Sequence, residues 1–327
     1  MRETLSGLAR LERDPAPFLE RANIPPELLE LPFARVSRTQ FQTLVHLLMD
    51  ELDDEMMGHL ARPMRRGSFV FLCRASLFGA LSLHVVLARW VKVQRLLTDE
   101  IQLSFRREGN VGWLRLTGPS GAGHDTLTFL PMVHFKSLHI LASWLVGERI
   151  RLSGVAFSGP RPAHGDEYAR LFPGEVCFGA PVSAMGIPVQ YLERGVSQDV
   201  DNLNQFLRAA PGNLLWQYRS IDLLSDKVRV LLRDALPRHL DIVQAADALG
   251  FSQRTLHRKL ISEGTNFQEI KDGLRRDIAI DCLDHSRLSI EEIAEQIGFS
   301  DAATFYRAFK TWTGVAPGMY RRRTLKT

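Results

Sequence analysis

The sequence predicts an α/β N-terminal domain, helices plus a small mixed sheet, followed by an all-α C-terminal domain with two helix-turn-helix units. Three observations carry that prediction. Apolar residues recur at helical spacing through roughly the first hundred residues. The period then switches to alternation in Gln102-Leu-Ser-Phe-Arg and again in Val111-Gly-Trp-Leu-Arg-Leu, on either side of a Glu108-Gly109-Asn110 turn, which is a β-hairpin pattern. From residue 211 onward the helical period returns with no further alternation, and one helix–turn–helix segment occurs twice.

Each element follows from its own pattern. Arg38 to Leu52 sets Phe41, Leu44, Val45 and Leu48 at helical spacing, and Ser68 to Leu97 continues as apolar helix broken near Leu83. After the hairpin, Leu127 to Leu130 reads as a strand, and Pro131 as the first residue of a helix running to Val146 with Met132, Phe135, Leu138 and Leu141 on one face. Ile150 to Phe157 reads as a strand, Tyr168 to Phe172 as a short helix, Val176 to Phe178 and Ile187 to Val189 as short strands, and Asp199 to Ala209 as a helix. Pro211-Gly212-Asn213 marks a break. A mixed domain is therefore expected over residues 10–210, a linker over 211–225 and a helical domain over 226–327. The length agrees, since 327 residues make about two domains of about 150 each.

Composition narrows the function classes. The chain is 45% hydrophobic and 24% charged, ordinary for a soluble globular protein able to bury a core without disulfides. Its balance of 41 Lys+Arg against 37 Asp+Glu, a net +4, permits an anionic partner without demanding one. Cys73, Cys177 and Cys282 form no C-x-x-C pair and are expected as reduced thiols in a cytoplasmic protein, with Cys177 a small buried hydrophobe. Met1 to Pro15 is charged throughout and is not expected to be a signal peptide. The most apolar run, Ala75 to Val91, is interrupted by His84 and Arg89 and is shorter than the roughly 20 residues that span a bilayer, so no membrane is expected.

The repeat lies in the C-terminal part. Ala-Asp-Ala-Leu-Gly-Phe-Ser at 246–252 recurs as Ala-Glu-Gln-Ile-Gly-Phe-Ser at 294–300, an offset of 48, and after one inserted residue Thr255 to Leu260 aligns with Thr304 to Phe309 at an offset of 49. In the first copy Ala246 is small where two helices cross, Gly250 suits a left-handed turn, and Ser252 stands where an N-cap is wanted. Leu256 and Leu260 make the inward stripe of the following helix, leaving Arg254, His257 and Arg258 outward. The second copy repeats this with Ala294, Gly298, Ser300 as the cap, Phe305 and Phe309 inward, and Ala302, Tyr306 and Arg307 outward. A helix presenting Arg and His outward at a hydroxyl-capped N-terminus can read base edges in a major groove and meet phosphates at its first turn. An ordinary helical hairpin with a solvated basic face is the plain alternative for one copy; two copies with Gly-Phe-Ser in the same place argue against it.

The segment Ala294 to Tyr320, Ala-Glu-Gln-Ile-Gly-Phe-Ser-Asp-Ala-Ala-Thr-Phe-Tyr-Arg-Ala-Phe-Lys-Thr-Trp-Thr-Gly-Val-Ala-Pro-Gly-Met-Tyr, closely resembles the signature of AraC/XylS-family transcription regulators. Leu249-Gly-Phe-Ser-Gln-Arg-Thr-Leu-His-Arg-Lys-Leu resembles that family's first helix-turn-helix. Around Leu171-Phe-Pro-Gly-Glu-Val-Cys-Phe the chain resembles the branch with a long arabinose-binding-type N-terminal domain. The resemblance implies two helix-turn-helix units joined by a long helix, and Asn266 to His285 supplies it, with Phe267, Ile270, Leu274, Ile278 and Cys282 on one stripe.

The DNA-facing set it implies is Ser252, Gln253, Arg254, His257, Arg258 and Lys259 in the first unit, Ser300, Ala302, Ala303, Tyr306, Arg307 and Lys310 in the second, and Arg321 with Arg322 beyond. Ala302 and Ala303 depart from a hydrogen-bonding set and fit a thymine methyl or shape readout, so the first unit is expected to carry more of the specificity. Lys310 fits a phosphate contact or plain solvated surface equally, and Arg321 to Arg323 fit either phosphate contacts or a solvated tail. Charge supports the assignment by placement: from 241 to 327 there are 13 Lys+Arg and 12 Asp+Glu, a net of 13 − 12 = +1. Acids gather on the joining helix (Asp272, Asp277, Asp281, Asp284) and on the second leading helix (Glu291, Glu292, Glu295). Bases gather on the recognition helices and in Arg321 to Arg323 with Lys326. An acidic outer face opposite a basic DNA face is expected.

No enzyme is expected, and neither a cofactor nor a metal. His134 and His139 are five apart and share no helical face as metal ligands would, and Gly118-Pro-Ser-Gly-Ala-Gly lacks the Lys-Ser/Thr of a phosphate loop. No G-x-S-x-G elbow with plausible partners appears. Trp90, Trp113 and Trp144 with Phe71, Phe78 and Phe129 either line an effector pocket or are core; His84 reads as a satisfied core residue. The function expected is a sequence-specific regulator with both recognition helices in the major groove, controlled through a small-molecule effector or dimerisation. Its expected partners are double-stranded promoter DNA, RNA polymerase, an effector and a second copy of the chain. The alternatives are an enzyme, or a ligand-independent protein-interaction module, fused to a DNA-binding tail.

Overall fold

The computed structural model describes the chain apart from residues 31–35, 120, 122, 199, 209–223, 264 and 325–327. It divides into two compact units, Met1–Pro15 with Val45–Ser220, and Ala16–Leu44 with Ile221–Thr327. Most of the linker expected over 211–225, including Pro211-Gly212-Asn213, lies outside the described residues, while Leu224 and Ser225 already belong to a helix. Ala16–Leu44, expected with the first domain, is counted with the second unit.

The first unit holds α1 (Arg2–Arg10), most of α3 (Arg38–Leu52), α4 (Ser68–Leu77), α5 (Leu83–Leu97), α6 (His124–Val146), α7 (Tyr168–Leu171), α8 (Val189–Leu192) and α9 (Val200–Arg208). Its sheet has β1 (Gln102–Glu108), β2 (Val111–Thr117), β3 (Gly154–Phe157), β4 (Val176–Phe178) and β5 (Ser183–Pro188) in the order β1-β2-β5-β3-β4. All neighbours are antiparallel except β3 and β4. The predicted hairpin is present: Glu108 pairs with Val111 across a Gly109-Asn110 loop in which Gly109 has φ +57°, the left-handed geometry this tight turn requires. On β2 the alternation buries Gly112, Leu114 and Leu116, whereas the central strand β5 is buried from Ser183 to Ile187. Phe157 anchors the core, its ring against those of Phe135, Tyr168, Phe172 and Phe178.

Several expectations are corrected. Leu127 to Leu130 is not a strand and Pro131 does not open a helix: both lie inside α6, which runs unbroken from His124 to the left-handed Gly147. A buried helix that is apolar nearly all round offers no stripe, so a short apolar run in it cannot be told from a strand. Of the strand expected over Ile150 to Phe157, only Gly154–Phe157 pairs; Leu152 N–H instead donates to Pro173 O at 2.9 Å. The strand expected at Ile187 to Val189 is Ser183–Pro188, ended by a proline that has no N–H, and Val189 begins α8. Trp90, Trp144 and Phe129 are core, but Phe71 and Phe78 are 56% and 77% exposed. His84 is exposed beside Phe105, and Cys177 is exposed on the edge strand β4, because alternate residues of an edge strand face solvent. Among the described residues α6 is the helix long and apolar enough to cross a membrane, and it is mostly buried within its unit.

The second unit holds α2 (Ala16–Arg21), the first turns of α3, and α10 (Leu224–Ala235), α11 (Ile242–Ala248), α12 (Gln253–Ser262), α13 (Phe267–His285), α14 (Ile290–Gln296), α15 (Ala302–Thr313) and α16 (Pro317–Thr324). Gln40 ties its N-terminal segment in. The Ser37 hydroxyl accepts the Gln40 N–H at 3.1 Å and the Gln40 side-chain oxygen accepts the Ser37 N–H at 2.9 Å, a capping box at the start of α3. The Gln40 amide nitrogen then donates to Asn23 O at 2.6 Å and reaches the buried Tyr320 hydroxyl at 2.7 Å.

Candidate nucleic-acid interface

Each helix-turn-helix unit is built from caps outward. The Asp241 carboxylate accepts the Gln244 N–H at 2.8 Å while Gln244 Oε1 accepts the Asp241 N–H at 3.0 Å, fixing where α11 begins. Ala245 and Ala246 are buried where α11 crosses α12. Gly250 turns the chain at φ +72°, and Ser252 Oγ accepts the Thr255 N–H at 3.2 Å, starting α12. Leu256 and Leu260 are fully buried, so Gln253, Arg254, His257 and Arg258 stand exposed on the other side. Lys259 is exposed too, its ammonium 5.4 Å from the centre of the Phe251 ring.

The second unit repeats the plan with one difference. Ser289 and Glu292 form the capping box of α14, at 3.1 and 2.6 Å. Gly298 has φ +76°, and a Cβ there would sit 2.6 Å from Pro237 O. The cap of α15 is Asp301, not the expected Ser300: Asp301 Oδ1 accepts the Thr304 N–H at 2.7 Å and Oδ2 accepts the Thr304 hydroxyl at 2.8 Å. Hydrogen bonding to the backbone and side chain of Thr304 holds the Asp301 carboxyl below its ordinary range. The residue inserted between the two copies falls ahead of Thr304, so the position three before it is now an aspartate, and Ser300 merely donates to Asp301 at 3.3 Å. Phe305 and Phe309 are buried; Ala303, Tyr306, Arg307 and Lys310 are exposed and Ala302 is half-buried. Arg307 Nη2 donates to the Thr304 hydroxyl at 3.2 Å.

Two expected residues separate beyond α15. Arg322 is exposed, its Nε donating to Gly318 O at 3.2 Å. Arg321 is half-buried and close enough to α13 for its charge to act on Cys282, because α16 packs on α13 and turns this side chain inward. Nothing is described for Lys326 or for the Arg323 side chain.

Sequence reasoning missed the residues that join the units. On α13 Lys271 and Arg275 are buried. Lys271 Nζ lies 2.7 Å from His239 Nε2, and Arg275 Nη2 donates to Gly298 O at 2.7 Å with its guanidinium 4.6 Å from the Phe299 ring centre. One helix thus grips the entry of the first unit and the turn of the second. Burial lowers both cations' pKa values, and the Lys271 charge lowers that of His239. Of the four acids expected on an outer face of this helix, three are half-buried and one is exposed. Asp277 pairs with Arg229 at 2.7 Å and Arg276 at 3.0 Å, Asp284 lies 3.2 Å from the Gln40 amide, Asp272 is half-buried, and Asp281 is exposed.

Residues 13–196 match the family described as the arabinose-binding domain of AraC transcription regulators, N-terminal, and residues 245–323 match a helix-turn-helix domain family. An ornithine utilization regulator of Pseudomonas aeruginosa is 28% identical over 304 residues, 93% of this chain and 89% of its own. The transcriptional activator NphR of a Rhodococcus species is 30% identical over 204 residues, 61% of this chain and 58% of its own. The crystal structure of the transcriptional regulator CdpR from Pseudomonas aeruginosa aligns with 98% of this chain and 97% of its own at 21% identity and a TM-score of 0.33.

Proposed function

Because the chain belongs to the AraC family of DNA-binding transcription regulators, we propose that α12 and α15 enter successive major-groove segments of promoter DNA, about 34 Å apart as in other paired readers. What carries this reading is the pair of capped helices with exposed polar faces, each in a unit held by α13, at His239 ahead of α11 through Lys271 and at the Gly298 turn ahead of α15 through Arg275. A joint of this kind fixes the spacing before DNA arrives, so little ordering entropy is lost on binding. Arg254, His257 and Arg258 read base edges, with Ser252, Gln253 and Lys259 at their flanks. Ala302, Ala303, Tyr306 and Arg307 give the second half methyl contact and shape readout, with Ser300 near its first turn. Lys310 and Arg322 meet phosphates; the inward placement of Arg321 takes it out of that set.

The N-terminal unit binds a small effector and pairs with a second copy of the chain, and the regulator acts in the cytoplasm on RNA polymerase by binding rather than by catalysis. The family's regulatory character supports the non-enzymatic part. Gel shifts of the full-length protein on genomic promoter fragments, with unlabelled competitor, test the core of it. Retention of one fragment over bulk DNA is expected; equal competition by every fragment sinks the reading.

A further inference from the structure

Helix α6 is apolar on nearly every face, yet Lys136, His139 and Ser143 follow at three- and four-residue spacing and share one stripe. They are 5%, 3% and 1% exposed. Ser143 is fully used: its hydroxyl donates to His139 O at 2.7 Å and accepts the Ile150 N–H at 3.1 Å. His139 is half used. Its Nε2–H donates to Ile150 O at 2.8 Å, which leaves Nδ1 as a buried lone pair with no partner among the described residues. Lys136 donates one of its three N–H bonds, to Leu171 O at 2.8 Å.

The charges acting on this stripe are those of Lys136 and Arg149, both positive, and no described carboxylate is among them. A buried ammonium without a counter-ion is among the costliest groups an interior can hold. Burial, with Arg149 beside it, brings Lys136 down to about 7. The stripe therefore offers spare cationic donors one helical turn from a spare acceptor.

We propose that this stripe is the anion end of the effector site and takes a small 2-hydroxycarboxylate, its carboxylate on Lys136 Nζ and its hydroxyl donating to His139 Nδ1. A free amino acid fits less well, because its ammonium would stand beside that of Lys136. The inference rests on the effector-binding reading of the first unit and gives that effector its chemistry. Its rival is a purely local role, Lys136 capping the carbonyl end of α7.

Thermal shift and calorimetry on the full-length protein decide between them, with glycolate, lactate and mandelate as probes. Propionate lacks the hydroxyl, lactamide the charge, and alanine adds a cation. At least one hydroxy acid should stabilise the protein, with propionate about ten-fold weaker and lactamide silent. Lys136→Met, apolar and of similar length, should abolish the response, and His139→Phe should remove the preference for lactate over propionate. In protein labelled with 13C at lysine Cε, the Lys136 resonance should move toward the protonated form when the probe is added, a readout that needs no variant. Equal stabilisation of wild type and Lys136→Met, or a Lys136 resonance indifferent to the probes, overturns the proposal. Stabilisation by neutral or cationic metabolites alone overturns this site while leaving the effector reading standing; silence across all classes removes both.

Discussion

Arg254 and Arg258 stand exposed on a helix whose other side is locked in the core, whereas Arg322 stands exposed at the end of α16. The difference in setting predicts a difference in kind. Arg254→Ala or Arg258→Ala should cost about 1–3 kcal/mol on the cognate site and relax specificity locally. Arg322→Ala should weaken all sequences alike and make the salt dependence shallower. Binding titrations at several salt concentrations on cognate and scrambled duplexes separate the two, and the reverse pattern would mean that reading and positioning residues are exchanged. Buried imidazoles set a second residue-scale expectation. Burial holds His59 at about 4 and His139 at about 3, against an ordinary 6.5. Between those values and 6.5 the unfolded chain binds more protons than the folded one, so stability rises with pH there and is lost as pH falls from 6.5. The loss is on the order of 3 kcal/mol or more from each. Urea midpoints followed by tryptophan fluorescence should fall steadily from pH 7 to pH 4.5; a flat profile would show that these rings are not buried in the neutral form. Residues such as Arg254 were legible because an outward position follows from helical period alone. Lys271 and Arg275 were not: a basic residue among aspartates on a helix reads as solvated, and only tertiary packing buries it.

The helices of the two helix-turn-helix units and α13 were legible because punctuation residues mark their ends, and the exception shows how local that punctuation is. Ser252 caps α12 as its spacing to Thr255 predicts, but the extra residue in the second copy hands the cap from Ser300 to Asp301. Ser252→Ala should therefore cost about 1 kcal/mol of stability. In the second unit Asp301→Ala should lower the unfolding midpoint clearly while Ser300→Ala leaves it nearly unchanged. Thermal melts of the three variants check this, and a larger loss at Ser300 than at Asp301 would put the start of α15 one residue earlier. In the N-terminal unit the hairpin was legible, since alternation and a Gly-Asn turn agree. Most of α6 was legible too, but about its first two turns were not. Proline at an interior position of a helix and an unbroken apolar run are each ambiguous, and together they imitate a strand followed by a helix start.

At the scale of the whole chain, the change from mixed to all-helical patterning falls between the two matched regions, residues 13–196 and 245–323. It does not show that Ala16–Leu44 joins the C-terminal unit, because pairing across nearly the full sequence leaves no periodic trace. The consequence is physical. Tyr320 is fully buried, and its hydroxyl meets the Gln40 amide, itself held by Ser37 and Asn23. Removing Gln40 takes away its buried hydrogen bonds to the Tyr320 hydroxyl and Asn23 O, a loss of about 1–3 kcal/mol. A fragment of residues 221–327 keeps both helix-turn-helix units and α13 and should be helical, yet it should melt below the same unit in the full chain. Gln40→Leu in the full chain should reproduce much of that loss, and Tyr320→Phe less of it, because the phenol oxygen leaves while Gln40 keeps Asn23. The fragment should also bind the cognate site more weakly than the full chain, since two linked modules gain effective concentration on paired half-sites. Circular dichroism melts and binding curves on these proteins decide both points. A fragment as stable as the intact unit would show that residues 16–44 are not structurally part of it, and equal affinity would remove the argument for a dimer.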